Sequence, residues 1–393
     1  MSNIRKRGEN TYFFTVSLGQ GLSGKYPRKY KTYKVTEKMT PKQLEKHLEL
    51  EYAKFEQLVK SENYIDPEKM SFTEFVKQWT ENFAENSLSE TTIANHLNRL
   101  QNHILPTLGQ KRIDKIKGLD IINLLNNLKR KDNSDDPLAI STKIDVYRTL
   151  KSVFKYAFKW EIIASDPMEK VDKPIEKNKT KKAANVYDEE EVNALLLTVQ
   201  RQLPHWRIFV TLCLTAGLRR SEALGLEWSS VDFKKMEIDI NTAIVKGRKG
   251  AVIKSTKNES SHRLISIPKF VAQELKEYKL HWKKERFRMG DKWTEEEREW
   301  LFCNENGKHF YPTTPTLWWG RFTKRANVRH IRLHDLRHTS ATLLIAQNIH
   351  AKIISERLGH SRINTTMDIY GHALRSADRG AADSMDNLFS KRL

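Results

Sequence analysis

The sequence predicts a multidomain fold in three parts: a small amino-terminal β-sheet with one covering helix, an all-helical middle segment, and an α+β segment running to the end. Three observations predict it. Apolar residues alternate between Tyr12 and Val35, recur at helical spacing over residues 71–168, and show both periods after residue 187. A length of 393 residues accommodates two or three domains rather than one.

Residues 1–65 make the first part. Tyr12, Phe14, Val16 and Leu18 alternate with Phe13, Thr15 and Ser17, the period of a half-buried strand. Gly19, Gly21 and Gly24 mark a turn, and Tyr30, Thr32, Tyr33 and Val35 read as a further strand of a three-stranded sheet. Pro41 opens a helix whose apolar positions are Leu44, Leu48, Tyr52 and Phe55. From Met1 to Lys34, eight Lys or Arg residues stand against Glu9 alone. A basic sheet with interleaved aromatics suits insertion into a DNA major groove, which admits a two-stranded ribbon; a solvated basic cap is the alternative. Arg5, Lys6, Arg7, Arg28, Lys29 and Lys31 are the candidate contacts.

Residues 71–168 read as a helical domain. Ser71 and Glu74 form a capping box ahead of Phe72, Phe75, Val76, Trp79 and Phe83, an amphipathic stripe. A second helix over residues 91–105 stops at Pro106; residues 119–128 and 141–160 supply two more. Asp166-Pro167 ends the bundle, and residues 169–186 read as an exposed basic linker. In the last part, residues 187–393, Asp188 and Glu191 form another capping box, and a buried helix over residues 208–214 ends at Gly217. Met236, Ile238 and Ile240 suggest one strand; Ile253 and then Leu264, Ile265 and Ile267 suggest two more, in one small sheet beside helices.

Lys and Arg total 69 against 49 Asp and Glu, a formal net charge of +20. Such a surplus concentrates polyanions, nucleic acid first and an anionic membrane second. No apolar run approaches the ~18 residues of a membrane span, no signal segment opens the chain, and Cys213 and Cys303 make neither a disulfide framework nor a zinc knuckle. A cytoplasmic protein with reduced thiols is expected, and membrane binding recedes.

Three stretches concentrate polar residues able to do chemistry. In the first, Gly217-Leu-Arg219-Arg-Ser-Glu222, Arg219 projects from a rigid corner and Glu222 is spaced to brace it on one helix face. In the second, His334-Asp-Leu-Arg337-His338, the i, i+3 spacing puts His334 and Arg337 on one face. His334 and His338 also have zinc-helix spacing, but Asp335 replaces the general-base Glu and Arg337 would repel a metal. The third, Leu358-Gly359-His360, is followed ten residues after His360 by Tyr370 in a polar setting. Each piece alone also reads as structure: a capping arginine, a core histidine, a half-buried tyrosine. Together, two Arg, two His and a Tyr match phosphodiester chemistry. Guanidiniums clamp nonbridging oxygens as charge builds, a phenol forms a durable ester, and imidazoles move protons near neutral pH. The leaving 5′ oxygen needs a proton donor; Lys257 is the candidate and Lys254 its rival. The ester conserves the bond energy, so neither a metal nor a nucleotide cofactor is required, and no Gly-x-x-x-x-Gly-Lys-Ser/Thr loop occurs.

These residues resemble the tyrosine recombinases, specifically the integrases of phages and integrative conjugative elements. Gly-Leu-Arg219-Arg-Ser-Glu222, His334-Asp-Leu-Arg337-His-Thr, Leu-Gly-His360 and Tyr370-Gly-His follow the family's motifs in order, over residues 71–393. The resemblance implies the fold shared with type IB topoisomerases, with a SAM-like core-binding domain at 71–168 and a catalytic domain at 187–393. Residues 1–65 look like an arm-binding domain. It also implies that Tyr370 forms a 3′-phosphotyrosyl bond, Arg219 and Arg337 clamp the phosphate, Lys257 is general acid, His334 assists proton transfer and His360 hydrogen-bonds the phosphate. A homotetramer on two double-stranded DNA sites, exchanging strands through a Holliday junction, is implied too, with excisionase and a host DNA-bending protein as accessory partners. The tail carrying Leu388 and Phe389 docks on a neighbouring protomer or folds back in cis. A non-catalytic DNA-binding regulator and a type IB topoisomerase are the competing readings.

Overall fold

A computed structural model describes residues 3–17, 28–35, 39–60, 70–130, 136–175, 185–255, 262–294 and 297–360, with helical positions 363, 367, 385 and 389. The turn glycines 19, 21 and 24, Lys257, Tyr370 and Leu388 lie outside the described residues. The chain divides into two compact units, residues 1–177 and 178–393.

The first unit opens with strands β1 (Ile4–Gly8), β2 (Thr11–Ser17) and β3 (Arg28–Lys34), antiparallel in the order β1-β2-β3. Alternation drives Tyr12, Phe14 and Val16 of β2 to one face, where α1 (Pro41–Lys60) covers them with Leu48 and Phe55. Phe14 stacks on Tyr33 at 5.6 Å and meets the edge of Tyr52 at 5.8 Å, so the sheet and helix share an aromatic centre. On the opposite face Arg28, Tyr30, Thr32 and Lys34 of β3 are exposed among the described residues.

The helical part follows with α2 (Phe72–Trp79), α3 (Glu85–Ser87), α4 (Glu90–Arg99), α5 (Leu105–Leu108), α6 (Gly118–Asn126) and α7 (Ile140–Lys159). The Ser71–Glu74 capping box forms on both sides: the hydroxyl accepts from Glu74 N–H and the carboxylate accepts from Ser71 N–H. Trp79, Phe72, Phe75 and Phe154 are fully buried, with Phe72 and Phe154 stacked at 5.3 Å.

Two expectations fail here for local reasons. Pro106 does not stop the helix. A π turn over Leu100–Ile104 precedes it and the Leu105 N–H returns to Leu100 O, five residues back, so the widened turn accommodates a proline that has no N–H to donate. Asp166-Pro167 does not end the core either. Asp166 Oδ1 accepts the Met168 N–H at 2.8 Å, and Met168 and Val171 turn back into the helical core while Tyr147 donates to Val171 O. Within the expected exposed linker Val171 alone is buried, while Glu169, Lys170, Asp172, Lys173 and Ile175 are exposed; residues 176–184 lie outside the described residues.

The second unit carries α8 (Glu189–Val199), α9 (Pro204–Thr215) and α10 (Arg220–Leu224), then strands, then α11 (Lys269–Met289), α12 (Thr314–Arg325), α13 (Asp335–Ala346) and α14 (Ala351–Leu358). Helix α9 lies at its centre, with Ile208, Phe209, Val210 and Leu212 without exposed surface and α8, α11 and α13 packed round it. The single sheet expected from sequence is two separate pairings. Strands β4 (Val231–Asp232), β5 (Glu237–Ile240) and β8 (Arg263–Ser266) make one, while β6 (Thr242–Lys246) and β7 (Ala251–Ser255) form a hairpin apart from it. Met236 is not in a strand; its φ of +54° makes it the turn residue before β5.

Truncating Phe154 to Ala should lower the unfolding free energy by about 3–5 kcal/mol, because both neighbouring helices are already at core density. Pro106→Ala should change it by less than ~1 kcal/mol, since the π turn already accommodates the ring and the missing N–H. Urea denaturation followed by circular dichroism distinguishes the two, and a Pro106→Ala loss as large as that of Phe154→Ala would contradict the π-turn account.

Candidate active site

Helix α9 ends at Thr215 and the chain reverses at Gly217, whose φ of +61° favours glycine. A Cβ there would come within 2.2 Å of Leu358 Cδ2, so a side chain is excluded twice over. Two residues on, Arg219 occupies the N-cap of α10 and Glu222 its third position. The brace between them is thus the reach-back half of a capping box, in which Glu222 accepts and the arginine, having no acceptor, only donates. Glu222 Oε2 accepts the Arg219 N–H at 3.0 Å, and Oε1 accepts Arg219 Nη1 at 2.5 Å. Arg219 Nη2 reaches across to Gly359 O at 2.8 Å.

Arg337 lies in the first turns of α13 and is buried, 2% exposed. Its Nη1 donates to Gly217 O at 2.6 Å and its Nη2 to Leu358 O. Burial and the neighbouring Arg219 push its pKa down to about 9, which leaves the guanidinium charged at neutral pH. Arg219 and Arg337 are therefore brought together by the same two backbone segments, the Gly217 corner and the end of α14.

Two further arginines stand in this cluster that sequence reasoning passed over. Arg263 on β8 donates from Nη2 to Glu222 Oε2 at 2.9 Å and from Nε to Arg357 O at 2.8 Å. Arg357 donates from Nη2 to Thr215 O at 2.8 Å. A signal for Arg263 was present: in a strand it shares a face with Ile265, which is buried, so a cation there needs a buried partner. Burial works against ionisation of Glu222, yet the hydrogen bond from Arg263 and the charges of Arg263 and Arg219 hold its pKa below the ordinary carboxylate value. Arg219 and Arg263 thus pair with Glu222, while Arg337 and Arg357 rest on the backbone carbonyls of Gly217 and Thr215, and the surplus positive charge among these described residues calls for an anion.

The histidines feel that surplus. His334 precedes α13 directly, with the His338 ring 5.1 Å away and perpendicular. Burial first, then His338 and Arg337, push its pKa down to about 4. His360 follows Gly359, whose φ of +64° caps α14, and its N–H donates to Ser355 O. Burial and the charges of Arg337 and Arg219 likewise lower its pKa to about 4. Both imidazoles are neutral at pH 7. Asp335, which a zinc helix would use as base, is instead held by Arg332 through both carboxylate oxygens. Lys254 lies on β7, opposite Ala243 of β6, and its rival Lys257 lies outside the described residues, as does Tyr370.

Of the six candidate contacts on the amino-terminal sheet, the pleat separates two sets. Arg5 pairs with Phe13 and Arg28 with Ser17 on the open face, and Arg7 stands 4.9 Å over the Phe13 ring. Lys6, Lys29 and Lys31 pair with Tyr12, Val16 and Phe14 and so belong to the face that α1 covers. On the open face Phe13 and Tyr30 stack at 5.4 Å.

A pair of fixed guanidiniums with a charge surplus, set on an α+β unit, makes a candidate anion-binding centre. Comparison with known proteins names the lineage. The model of the phage integrase family matches residues 185–376, and that of the phage integrase N-terminal SAM-like domain matches residues 71–129. A XerC-like tyrosine recombinase of Caldanaerobacter subterraneus is 24% identical over 99% of both chains. The ICEBs1 integrase of Bacillus subtilis is 27% identical over 74% of this chain and 76% of its own. The structure of the Tn1549 transposon integrase in complex with transposon right end DNA aligns with a TM-score of 0.65 at 20% identity, covering 80% of this chain and 99% of that one. A lambda integrase dimer bound to a core site aligns over 93% of this chain and 94% of its own, at 14% identity and a TM-score of 0.53. The chain belongs to the phage integrase family of tyrosine recombinases. It is accordingly a site-specific recombinase, an enzyme that breaks and rejoins DNA.

Depressed histidine pKa values make a pH prediction. The unfolded chain takes up protons near pH 6.5 and the folded chain does not, so this stabilisation is complete above about pH 6.5 and is lost as pH falls towards 4. Imidazole resonances of His334 and His360 should titrate near pH 4 in the DNA-free protein and shift upward when a duplex supplies its phosphate. Titration of both near 6.5 without DNA would refute the buried, cationic surroundings.

Proposed function

We propose that this recombinase cleaves DNA with Tyr370 as nucleophile and that Arg219 and Arg337 clamp the scissile phosphate. The observation that carries the reading is the guanidinium pair fixed on backbone carbonyls with one carboxylate among four arginines. The Tyr370 hydroxyl attacks phosphorus, its proton passes to a neutral imidazole, and the 3′ phosphate becomes esterified to tyrosine. The bond to the 5′ oxygen breaks, and that oxygen leaves with a proton from Lys257, or from Lys254. Attack by a 5′ hydroxyl of the partner strand reverses each step and frees the tyrosine. Charge builds on the nonbridging oxygens in the transition state, where preorganised donors are each worth roughly 10²–10³ in rate. His334 serves the proton transfer and His360 donates to the phosphate. Because bound phosphate offsets the surplus charge of the arginines, it raises both imidazole pKa values towards the working range.

Residues 71–168 bind the core site as the SAM-like domain, the catalytic part lies at 187–393, and residues 1–65 bind arm-type DNA through the open sheet face carrying Arg5, Arg7 and Arg28. Four protomers act on two sites through a Holliday junction, integrating or excising a phage or conjugative element, with an excisionase and a host DNA-bending protein setting direction. Solved relatives include integrases on DNA and a lambda integrase tetramer on a Holliday junction, which supports this assembly. Among the described residues no helix is long and apolar enough to cross a membrane, and the bacterial cytoplasm is the proposed site of action.

Covalent adducts trapped on fragments of the genomic DNA flanking the gene, sequenced at the junction, map the cleavage site. Tyr370→Phe should bind the mapped duplex as tightly as the parent and form no covalent adduct; protein still linked to DNA on a denaturing gel would defeat the assignment. Arg5→Ala with Arg28→Ala should weaken binding to arm-type DNA and lower the log–log salt slope by about 0.9 for each phosphate no longer neutralised. Lys29→Ala should leave that slope unchanged, and equal losses from both faces would defeat the open-face reading.

A further inference from the structure

Three successive carbonyls close helix α14, and each accepts a different arginine. Arg357 O takes Arg263 Nε at 2.8 Å, Leu358 O takes Arg337 Nη2, and Gly359 O takes Arg219 Nη2 at 2.8 Å. Two of these arginines are the proposed phosphate clamps. The third, Arg263, has its other arm on Glu222 Oε2, while Oε1 of the same carboxylate holds Arg219. The side chains of Arg263 and Glu222 are only 8% and 4% exposed.

Resting on the proposed phosphate site, we infer that Arg263 is a positioning residue for strand cleavage, which sets the direction of the Arg219 guanidinium through Glu222 and the end of α14. A buried carboxylate seeks full pairing. With Arg263 present, Glu222 Oε2 is shared between Arg263 and the Arg219 backbone N–H, so the carboxylate holds the Arg219 guanidinium through Nη1 alone and leaves Nη2 to Gly359 O. Without Arg263, the carboxylate closes on Arg219 in a two-point pair and competes with the phosphate for the same guanidinium. Arg263 also stands two residues beyond the stretch 256–261 that carries Lys257, and it bonds the carbonyl of α14 from which the chain leads on to Tyr370. One side chain therefore ties the strand beside the acid's segment to the helix preceding the nucleophile's. A lysine cannot take its place, because an ammonium has no planar fork to span a carbonyl and a carboxylate.

The test uses the full chain and the mapped duplex, made once with an ordinary scissile phosphate and once with a methylphosphonate, which lacks the charge that Arg219 clamps. Wild type must cleave the ordinary duplex and Arg219→Ala must not; failure of that control sinks the phosphate-site reading, and this inference with it. Arg263→Gln is expected to cleave the ordinary duplex roughly 10–100-fold more slowly at saturating DNA, with its Kd within about 2-fold of wild type, and to lose less than about 3-fold on the methylphosphonate. Equal losses on both duplexes mean general disruption and overturn the proposal, as does no loss on either. Should Arg263→Gln fail to fold, Arg263→Lys retains the charge and is held to the same substrate dependence.

Discussion

The end of α14 is the constraint on which this active site is built. A helix leaves its last carbonyls without intrahelical donors and carries partial negative charge there. At residues 357–359 those oxygens are satisfied by guanidiniums from β8, α13 and the corner before α10. Each arginine gains a fixed acceptor, and the helix end gains donors that solvent would otherwise supply. The desolvation cost of gathering cations is offset before any DNA arrives, so the site needs little reorganisation when a phosphate enters.

The neighbouring geometry follows from that arrangement. Gly217 adopts a left-handed turn because Arg337 requires its carbonyl and Leu358 occupies the space where a side chain would stand. Glu222 is the counter-charge that makes the cluster tolerable, and it ionises despite burial because two guanidiniums face it. One carboxylate does not neutralise four arginines, and the remainder falls on the histidines. His334 and His360 stay unprotonated well below their ordinary range, which leaves them able to accept a proton at neutral pH. Burial first, and then the same field that binds an anion, set the protonation state of these imidazoles.

The amino-terminal sheet uses the pleat in a simpler way. One face of β2 is spent on Phe14 and its aromatic neighbours under α1, leaving the other for Arg5, Arg7, Arg28 and the Phe13–Tyr30 stack. Counting basic residues along the chain merges the two sets, since alternate positions are adjacent in sequence and opposite in space.

Periodicity and chemistry-bearing spacing made much of this protein legible in one dimension. The strand of Tyr12, Phe14 and Val16, the capping boxes at Ser71 and Asp188, the buried helix before Gly217 and the pairing of Arg219 with Glu222 are local patterns, and local patterns depend on residues a few positions apart. The motif order around Arg219, Arg337 and His360 pointed to phosphodiester chemistry for the same reason. What stayed hidden depends on residues far apart in the chain. Val171 returns to the helical core, where Tyr147, 24 positions away, donates to its carbonyl. Arg263 meets Glu222 41 positions away and Arg357 94 positions away. Such partners are chosen by packing, which brings together groups whose separation along the chain carries no record of the contact.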